Sequence, residues 1–297
     1  MIGGNRFFGR RFSELMVSAQ HEVWLLNRGS KPVEGTRLLR GSRTSPEDLR
    51  RAVKESNSEA EPFDAVVDQV CMSRQDAELA VQELGPFAKR WVHTSTQSVY
   101  GPGPEIVESD FVALDHKFEP TVEIPPYPEA KRQAESVLER ARLAGQLKSL
   151  TVMRIPIVLG EDDYTERLLW HIRRIRRKEP MIVPNPEARL NFIHSSEAAH
   201  CLKAFCEGEP GSALSHGAFN CASPNAISVG QILKLIEGVT RETAILRTDG
   251  EDSTHSPFGL SSDWVMSTDK LERAGVHCRP LELWLPKLVE TLNSSIL

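Results

Sequence analysis

Residues 1–12 read MIGGNRFFGRRF, and this stretch decides the fold. Gly3, Gly4 and Gly9 predict a tight turn that leads into an amphipathic helix, whose apolar positions are Phe8, Phe12, Leu15 and Met16. Such a turn points backbone N–H groups and the positive end of the helix dipole at a pyrophosphate. The stretch therefore predicts a dinucleotide site. The alternative is a glycine turn that joins a strand to a helix for steric reasons alone.

The strand before this turn is short, because only Met1 and Ile2 precede Gly3. A turn of this kind normally follows a buried central strand of about five to six residues. We therefore expect further strand residues upstream of Met1. A genuinely short strand is the alternative.

The composition restricts the class of protein. The chain has 297 residues with 40% apolar and 6% aromatic content, enough for one large α/β unit or two closely joined lobes. A net charge of -5 argues against a general nucleic-acid binder and leaves a local basic patch open. The five cysteines are odd in number and lack metal-ligand spacing, which predicts no metal site and favours a reducing, cytoplasmic location. We find no sequence pattern of a membrane span or a signal peptide.

Short apolar runs alternate with helical segments along the chain, which is typical of βαβ units around a parallel sheet. The strands are predicted within residues 21–29, 64–70, 90–101, 150–160 and 190–194, and the helices within residues 44–53, 73–84, 128–145, 165–180, 195–208 and 228–240. Ser45 and Ser228 are predicted N-caps. The fold class is thus α/β, a doubly wound parallel (Rossmann) sheet with a smaller C-terminal substrate-binding lobe. We expect residues 1–160, completed by about 190–222, to bind the dinucleotide, and residues 161–297 to form most of the lobe.

A second pattern points to chemistry. Tyr127 and Lys131 in YPEAK are four residues apart on one predicted helix, so their side chains share a face. The preceding strand ends in TSTQSVYG (residues 94–101), which places hydroxyl groups at the carboxyl end of the sheet, where sites form in such folds.

The ordered set of motifs resembles the extended short-chain dehydrogenase/reductase family, in its NAD-dependent epimerase/dehydratase branch. The motifs are the glycine turn, SVYG, YxxxK, MRIPIVLG, FIHSSEAA and FNCASPNAISVGQIL. The resemblance implies that Tyr127 exchanges a proton with a substrate hydroxyl or carbonyl while hydride passes to or from a nicotinamide. It also implies that Lys131 and the positive nicotinamide ring lower the pKa of Tyr127 and that Thr96 binds the reacting oxygen. Thr94 and Ser95 are the alternatives to Thr96.

The resemblance also implies a set of cofactor contacts. They are Gly3, Asn5, Arg6, Phe7, Phe8, Gly9, Asn27, Arg28, Ser42, Thr94, Tyr127 and Lys131. NAD-selective enzymes place a carboxylate at the end of the second strand, and in this chain that place reads Asn27-Arg28. We therefore expect NADP(H), with its 2′-phosphate bound by Arg28 and Arg6, and leave NAD(H) open.

Three positions depart from the family pattern. Arg6 replaces the middle glycine of the turn, and Ser42 stands where many relatives carry an aspartate toward the adenine. Ile157 stands where sugar-nucleotide epimerases tend to have asparagine. The difference argues against a UDP-galactose 4-epimerase and favours a reductase. STQSVYG also lacks the Asp-Glu pair of the dehydratases.

Two functional classes therefore remain. The first is an NAD(P)-dependent oxidoreductase or epimerase that acts on a small molecule, either a nucleotide sugar or another polar ketone or alcohol. The second is an RNA-binding or ribonuclease-like relative of the same fold, since some relatives with this turn and an NRG strand end are of that kind. The net charge and the intact Thr96, Tyr127 and Lys131 set favour the first class. A homodimer is left open.

Overall fold

The computed structural model describes residues 1–118, 125–209, 211–247 and 254–296. The helices are α1 (Phe7–Ser18), α2 (Pro46–Glu55), α3 (Arg74–Leu84), α4 (Tyr127–Leu143), α5 (Arg167–Arg176), α6 (Ser195–Glu207), α7 (Val229–Thr240), α8 (Asp269–Arg273) and α9 (Leu285–Ser294). Among the described residues, none of the helices combines the length and the apolar character that a membrane span requires.

The strands are short, with two to six residues each. They are β1 (Trp24–Asn27), β2 (Arg37–Arg40), β3 (Val66–Asp68), β4 (Trp91–Thr96), β5 (Gly103–Ile106), β6 (Leu150–Ile155), β7 (Ile157–Leu159), β8 (Met181–Ile182), β9 (Arg189–Leu190), β10 (Phe192–His194), β11 (Gly217–Asn220), β12 (Ile227–Ser228), β13 (Leu246–Arg247) and β14 (Trp264–Met266).

Ile2 completes the large sheet. β1 and β2 form one parallel pair, and β3, β4, β6 and β11 form a parallel group in the order β11-β6-β4-β3. Ile2 makes parallel bridges to Leu26 of β1 and to Asp68 of β3, so it links the two groups. Its amide donates to the Val67 carbonyl at 2.8 Å, and the Gly3 amide donates to the Leu26 carbonyl at 2.9 Å. The resulting order has the first crossover at Ile2, as in a doubly wound sheet, which confirms the predicted fold class.

Helices cover both faces of this sheet. On one face, apolar side chains of α1 and α6, including Phe12 and Phe205, pack on strand residues such as Val92 and Met153. On the other face, the helices α2, α3 and α4 bury a second apolar cluster that includes Leu49, Ala80 and Leu138. Parallel strands with both faces covered are apolar nearly throughout, which explains the continuous apolar runs in the sequence.

A second sheet and a third apolar cluster form beside the large sheet. The second sheet has the order β12-β9-β14-β5, so β5 brings residues 103–106 out of the first half of the chain. The helices α5, α7 and α9 share the third cluster, in which Leu168, Ile232 and Leu288 are buried. Ser45 and Ser228 accept hydrogen bonds from the amides of Asp48 and Gln231. These bonds confirm both predicted caps.

Candidate active site and cofactor cleft

Two adjoining cavities lie at the carboxyl edge of the large sheet. The first, of about 520 Å³, is called the cofactor cleft and is lined by residues of the glycine turn, the end of β1 and the loop after β2. The second, of about 490 Å³, is called the reaction cavity and is lined by the end of β4, the start of α4 and residues of the C-terminal part. The two cavities share the lining residues Phe7, Phe8, Gln69, Met72 and Tyr164.

Most of the predicted cofactor contacts line these cavities. In the cofactor cleft they are Gly3, Asn5, Arg6, Phe7, Phe8, Asn27, Arg28 and Ser42. In the reaction cavity they are Phe7, Phe8, Thr94, Tyr127 and Lys131, together with Thr96. The sequence therefore located the two groups of residues that the fold brings to neighbouring cavities.

The glycine turn fits a pyrophosphate. Gly3 and Gly4 have φ angles of +93° and +78°, which L side chains rarely adopt. A Cβ on Gly4 would lie 2.5 Å from the Met1 Sδ and 3.0 Å from the Leu25 Cδ2. The helix α1 then begins at Phe7, with Arg6 as N-cap and no side-chain cap. The first amides of α1 thus lack a capping side chain, and such amides are anion ligands in this fold.

Gly9 does not line the cofactor cleft. A Cβ at this position would lie 1.8 Å from the Gln69 Oε1, so the Gln69 side chain lies directly against α1 here. The third glycine of such turns serves the close packing of helix and strand.

The polar side-chain groups of Asn27 and Ser42 form hydrogen bonds within the protein. The Asn27 Nδ2 donates to the Gly3 carbonyl at 3.2 Å, and its Oδ1 accepts from the Gly29 amide at 2.8 Å. The Ser42 hydroxyl lies 2.8 Å from the Thr44 Oγ1. Arg28 is exposed and, within the described ranges, pairs with no carboxylate. Of these residues, Arg28 is the one whose side chain is available to an anionic ligand.

Tyr127 is the first residue of α4, and its side chain is 46% exposed. Burial raises the pKa of Tyr127, while the Thr96 hydroxyl and the Arg167 charge act in the opposite direction. Lys131 is not among the described groups that shift this pKa, and its ammonium bonds two carbonyl oxygens instead.

Lys131 lies beneath the reaction cavity and is 2% exposed. Its Nζ donates to the carbonyls of Cys71 at 2.7 Å and Thr94 at 2.8 Å, and lies 3.4 Å from the His93 Nε2. Burial lowers the pKa of Lys131, and the nearby Asp68 carboxylate opposes that effect. Lys131 thus ties α4 to the end of β4.

Thr94 and Thr96 present hydroxyl groups near Tyr127. The Thr96 Oγ1 accepts from the Ser98 amide at 3.2 Å. The Thr94 Oγ1 is buried and has no hydrogen-bond partner among the described residues. A buried hydroxyl without a partner is costly, so a ligand that accepts or donates a bond there gains affinity.

A buried ion pair at the cofactor cleft was not predicted from the sequence. Arg43 lines the cleft, and its Nη1 donates to both oxygens of Asp68 at 3.0 Å while its Nη2 donates to the Asp76 carbonyl at 2.6 Å. Burial raises the pKa of Asp68, and the charges of Arg43 and Lys131 counteract it. The two residues are 25 positions apart in the sequence, so no local sequence pattern predicts this ion pair.

Tyr164 marks the junction of the two cavities. It lines both of them, is 64% exposed, and makes an edge contact with the Phe7 ring at a centroid distance of 6.1 Å. The Arg6 guanidinium lies 5.9 Å from the centre of the Tyr164 ring. Gly4, Gln69, Met72 and Arg167 also line these cavities and were not predicted to. For Tyr164 and Arg167, the signal available in the sequence was their place just after the strand that ends at Gly160.

Comparison with known proteins identifies relatives by sequence and by fold. The model of the NAD dependent epimerase/dehydratase family matches residues 1–222. The chloroplast stem-loop binding protein of 41 kDa b of Arabidopsis thaliana is 24% identical over 209 residues, which are 65% of this chain and 50% of that protein. The match therefore spans about half the length of that curated relative.

Solved structures with the same fold cover nearly the whole chain. The UDP-glucose 4-epimerase of Thermotoga maritima, solved with UDP-glucose, has a TM-score of 0.76 and 17% identity, over 100% of this chain and 98% of that one. The dTDP-glucose 4,6-dehydratase of Bacillus anthracis, in complex with NAD, has a TM-score of 0.75 and 14% identity, over 99% and 95% of the two chains. At these identities the likeness concerns the fold. With the family model matched over 222 residues, the chain belongs to the NAD dependent epimerase/dehydratase family.

Proposed function

We propose that this protein is an NAD(P)-dependent oxidoreductase or epimerase that acts at a secondary alcohol or ketone carbon, with Tyr127 as general acid and base. The observation that carries the proposal is the meeting of Thr96, Tyr127 and Lys131 at one cavity that adjoins the glycine turn. Family membership supports the same reaction class.

The residues of the cofactor cleft suit a nicotinamide dinucleotide. The uncapped start of α1 provides amides for a pyrophosphate beside the glycines with positive φ. In the adjoining reaction cavity, the buried Thr94 hydroxyl has no partner of its own among the described residues. When bound, the nicotinamide accepts or supplies the hydride. Arg28 pairs with no carboxylate of the described part of the chain, and no carboxylate ends β1, which supports NADP(H) in preference to NAD(H).

Side chains of the protein would carry out the proton transfer. Tyr127 gives a proton to a substrate carbonyl during reduction and takes it from an alcohol during oxidation. The Thr96 hydroxyl, which acts to lower the pKa of the Tyr127 phenol, would bind the same reacting oxygen. Lys131 fixes the first turn of α4 and so the position of Tyr127. Burial raises the pKa of the Tyr127 phenol, and a nearby positive ring would favour the phenolate.

Ile157 lines the reaction cavity. An apolar side chain there supports reduction of a ketone over epimerisation of a nucleotide sugar. The test is to titrate the protein with NADPH and NADH, and then to screen ketones, alcohols and UDP-glucose for absorbance change at the nicotinamide band. Absence of cofactor binding would refute the proposal.

A second candidate function is RNA binding, which two observations favour. One is the name of the chloroplast relative, which describes a stem-loop binding protein. The other is a cavity of about 590 Å³ at the amino ends of the strands, on the edge opposite Tyr127. Its basic lining residues are Lys89, Arg90, Arg142, Lys148 and His216. Several cations in one groove are the electrostatic feature that binds phosphate backbones.

Lys148 offers the cleanest test of this second function, since it is exposed and pairs with no carboxylate in the part of the chain that the structure describes. RNA binding through this groove would weaken with salt and weaken further in Lys148→Glu. A stem-loop RNA assayed on filters at two salt concentrations measures both effects. Binding that Lys148→Glu leaves intact would exclude the groove.

A further inference from the structure

We propose that the substrate of the reaction cavity carries one oxyanion, a carboxylate or a phosphate, beside its reacting carbon, and that Arg167 binds the oxyanion. The inference rests on the proposed function, because it names the substrate class of the same site. Arg167 would act as a specificity-determining residue.

The charges that line the reaction cavity are positive. Among the described lining residues, the charged side chains are Lys131 and Arg167, and none is a carboxylate. Lys131 is buried and already donates to two carbonyl oxygens. Arg167 is therefore the cation that remains available to a ligand in this cavity.

Arg167 is uncommitted compared with the other arginines of α5. Its Nη1 donates to the Thr165 Oγ1 at 3.0 Å, and it pairs with no carboxylate in the described ranges. Further along the helix, each arginine has a partner: Arg173 bonds Glu166, Arg174 lies 3.7 Å from Glu179, and Arg176 donates to Asn293 at 2.9 Å. A guanidinium with free donors at a cavity wall matches the planar geometry of carboxylate and phosphate groups.

Arg167 lies close enough to the reacting groups to set the position of a substrate. Arg167 and Tyr127 line the same cavity, and the charge of Arg167 acts to lower the pKa of Tyr127. The Thr94 hydroxyl, which is buried and unpartnered among the described residues, lines the same cavity and offers a second polar contact. An oxyanion held by Arg167 would thus lie beside a carbon whose oxygen meets Tyr127.

One part of the wall is apolar, where Ile155, Ile157, Leu190, Phe258 and Leu260 line the cavity. Uncharged polar side chains line another part, among them Gln97 and Ser98 just after the end of β4. An apolar part of the substrate would pack on the first group, while the oxyanion meets Arg167.

The test uses matched probes that differ in charge. Isothermal titration calorimetry measures binding of phenylpyruvate, its methyl ester, phenyl phosphate and UDP-glucose to the parent protein, with and without NADP⁺. One charge-assisted bond predicts that an anionic probe binds about 10- to 150-fold more tightly than the neutral ester. Whether phenylpyruvate or phenyl phosphate binds more tightly decides between carboxylate and phosphate.

Two variants test whether Arg167 is the residue that causes the preference for the anionic probe. Arg167→Gln should abolish the preference for the anion, whereas Arg173→Gln, whose arginine bonds Glu166 outside the cavity, should keep it. The proposal is overturned if acid and ester bind equally, if no anionic probe binds at millimolar concentration, or if Arg167→Gln retains the preference. Tighter binding of UDP-glucose that survives Arg167→Gln overturns it as well.

The same titrations separate this inference from the proposed function. If the protein binds neither NADPH nor NADH but keeps an Arg167-dependent preference for the anion, the proposed function fails and the anion site stands. If cofactor binds and the preference is absent, the anion site alone fails.

Discussion

The ammonium of Lys131 lies 2.8 Å from the carbonyl oxygen of Thr94, so one buried cation joins helix α4 to the end of strand β4. The same ammonium bonds the Cys71 carbonyl, in the loop that follows β3. Tyr127 stands one helical turn before Lys131 and is therefore held against both strand ends. The two bonds of Lys131 therefore tie the part of α4 that begins at Tyr127 to these strand ends.

Replacement of Tyr127 by phenylalanine tests its chemical role. The ring and its packing remain, and only the hydroxyl is lost, so cofactor affinity should be unchanged. Turnover should fall about 100-fold or more, the usual contribution of a general acid or base. Steady-state rates with an active ketone, beside NADPH titrations, measure the two effects. Full turnover in Tyr127→Phe would show that another group moves the proton.

Replacement of Glu135 by glutamine tests the buried ion pair that lies below the site. The Glu135 Oε2 accepts from the Arg154 Nη2 at 2.7 Å, and both side chains are nearly inaccessible to water. Loss of one charge leaves Arg154 buried without its counterion, which should lower the free energy of unfolding by about 3–5 kcal/mol. Urea unfolding at neutral pH measures the loss.

The control for this prediction is Glu139→Gln on the same helix. Glu139 pairs with Arg142 nearer the surface, at 2.7 Å, and such pairs contribute about 0–1 kcal/mol. Similar losses for the two variants would mean that burial does not distinguish the pairs.

His171 should make the stability depend on pH. Burial lowers its pKa to about 4, while its Nδ1 meets the Arg167 carbonyl at 2.8 Å and its Nε2 meets the Ser256 hydroxyl at 2.7 Å. The unfolded chain takes up this proton near the ordinary pKa of about 6.5. The stabilisation is therefore complete above that pH and is lost as the pH falls toward 4. The loss is about 3 kcal/mol at most.

Urea unfolding of the parent, His171→Gln and His277→Gln at pH 7.5 and 4.5 measures this contribution. His171→Gln should flatten the decrease, because its side chain does not titrate. His277 is exposed, so His277→Gln should keep the decrease of the parent. An equal decrease in all three proteins would assign the pH dependence to other groups.

The sequence predicted those features that depend on neighbouring residues. The cap at Ser45, the start of α4 near Pro128 and its end before Gly145 follow from local backbone preferences, and the structure has them. The motif spacing likewise brought Tyr127 and Lys131 to one helix face. These predictions needed no knowledge of how the strands are ordered.

Features that depend on distant partners were not predictable in the same way. Arg43, in the loop after β2, bonds Asp68 at the end of β3. The strand β5 pairs with β14 of the second sheet and not with the large sheet. The hydrogen-bond partners of the Lys131 ammonium, the carbonyls of Cys71 and Thr94, were likewise not predicted. Spacing placed the side chains of Tyr127 and Lys131 together, but only the three-dimensional surroundings decide which atom the ammonium bonds.

The preference for NADP(H) depends on Arg28, which lines the cofactor cleft at the end of β1 and is exposed. A charge-assisted bond to the 2′-phosphate is worth about 1.5–3 kcal/mol, so Arg28→Ala should weaken NADPH binding about 10- to 150-fold. NADH lacks that phosphate, and its affinity should not change. Arg37→Ala is the matched control, because Arg37 lies on the neighbouring strand β2, stacks over Trp24 at 4.9 Å and does not line the cleft. Dissociation constants for both cofactors, measured by fluorescence titration of the three proteins, decide the matter. Equal affinities of the parent for NADPH and NADH, or equal losses for both cofactors in Arg28→Ala, would show that the 2′-phosphate is not bound by Arg28.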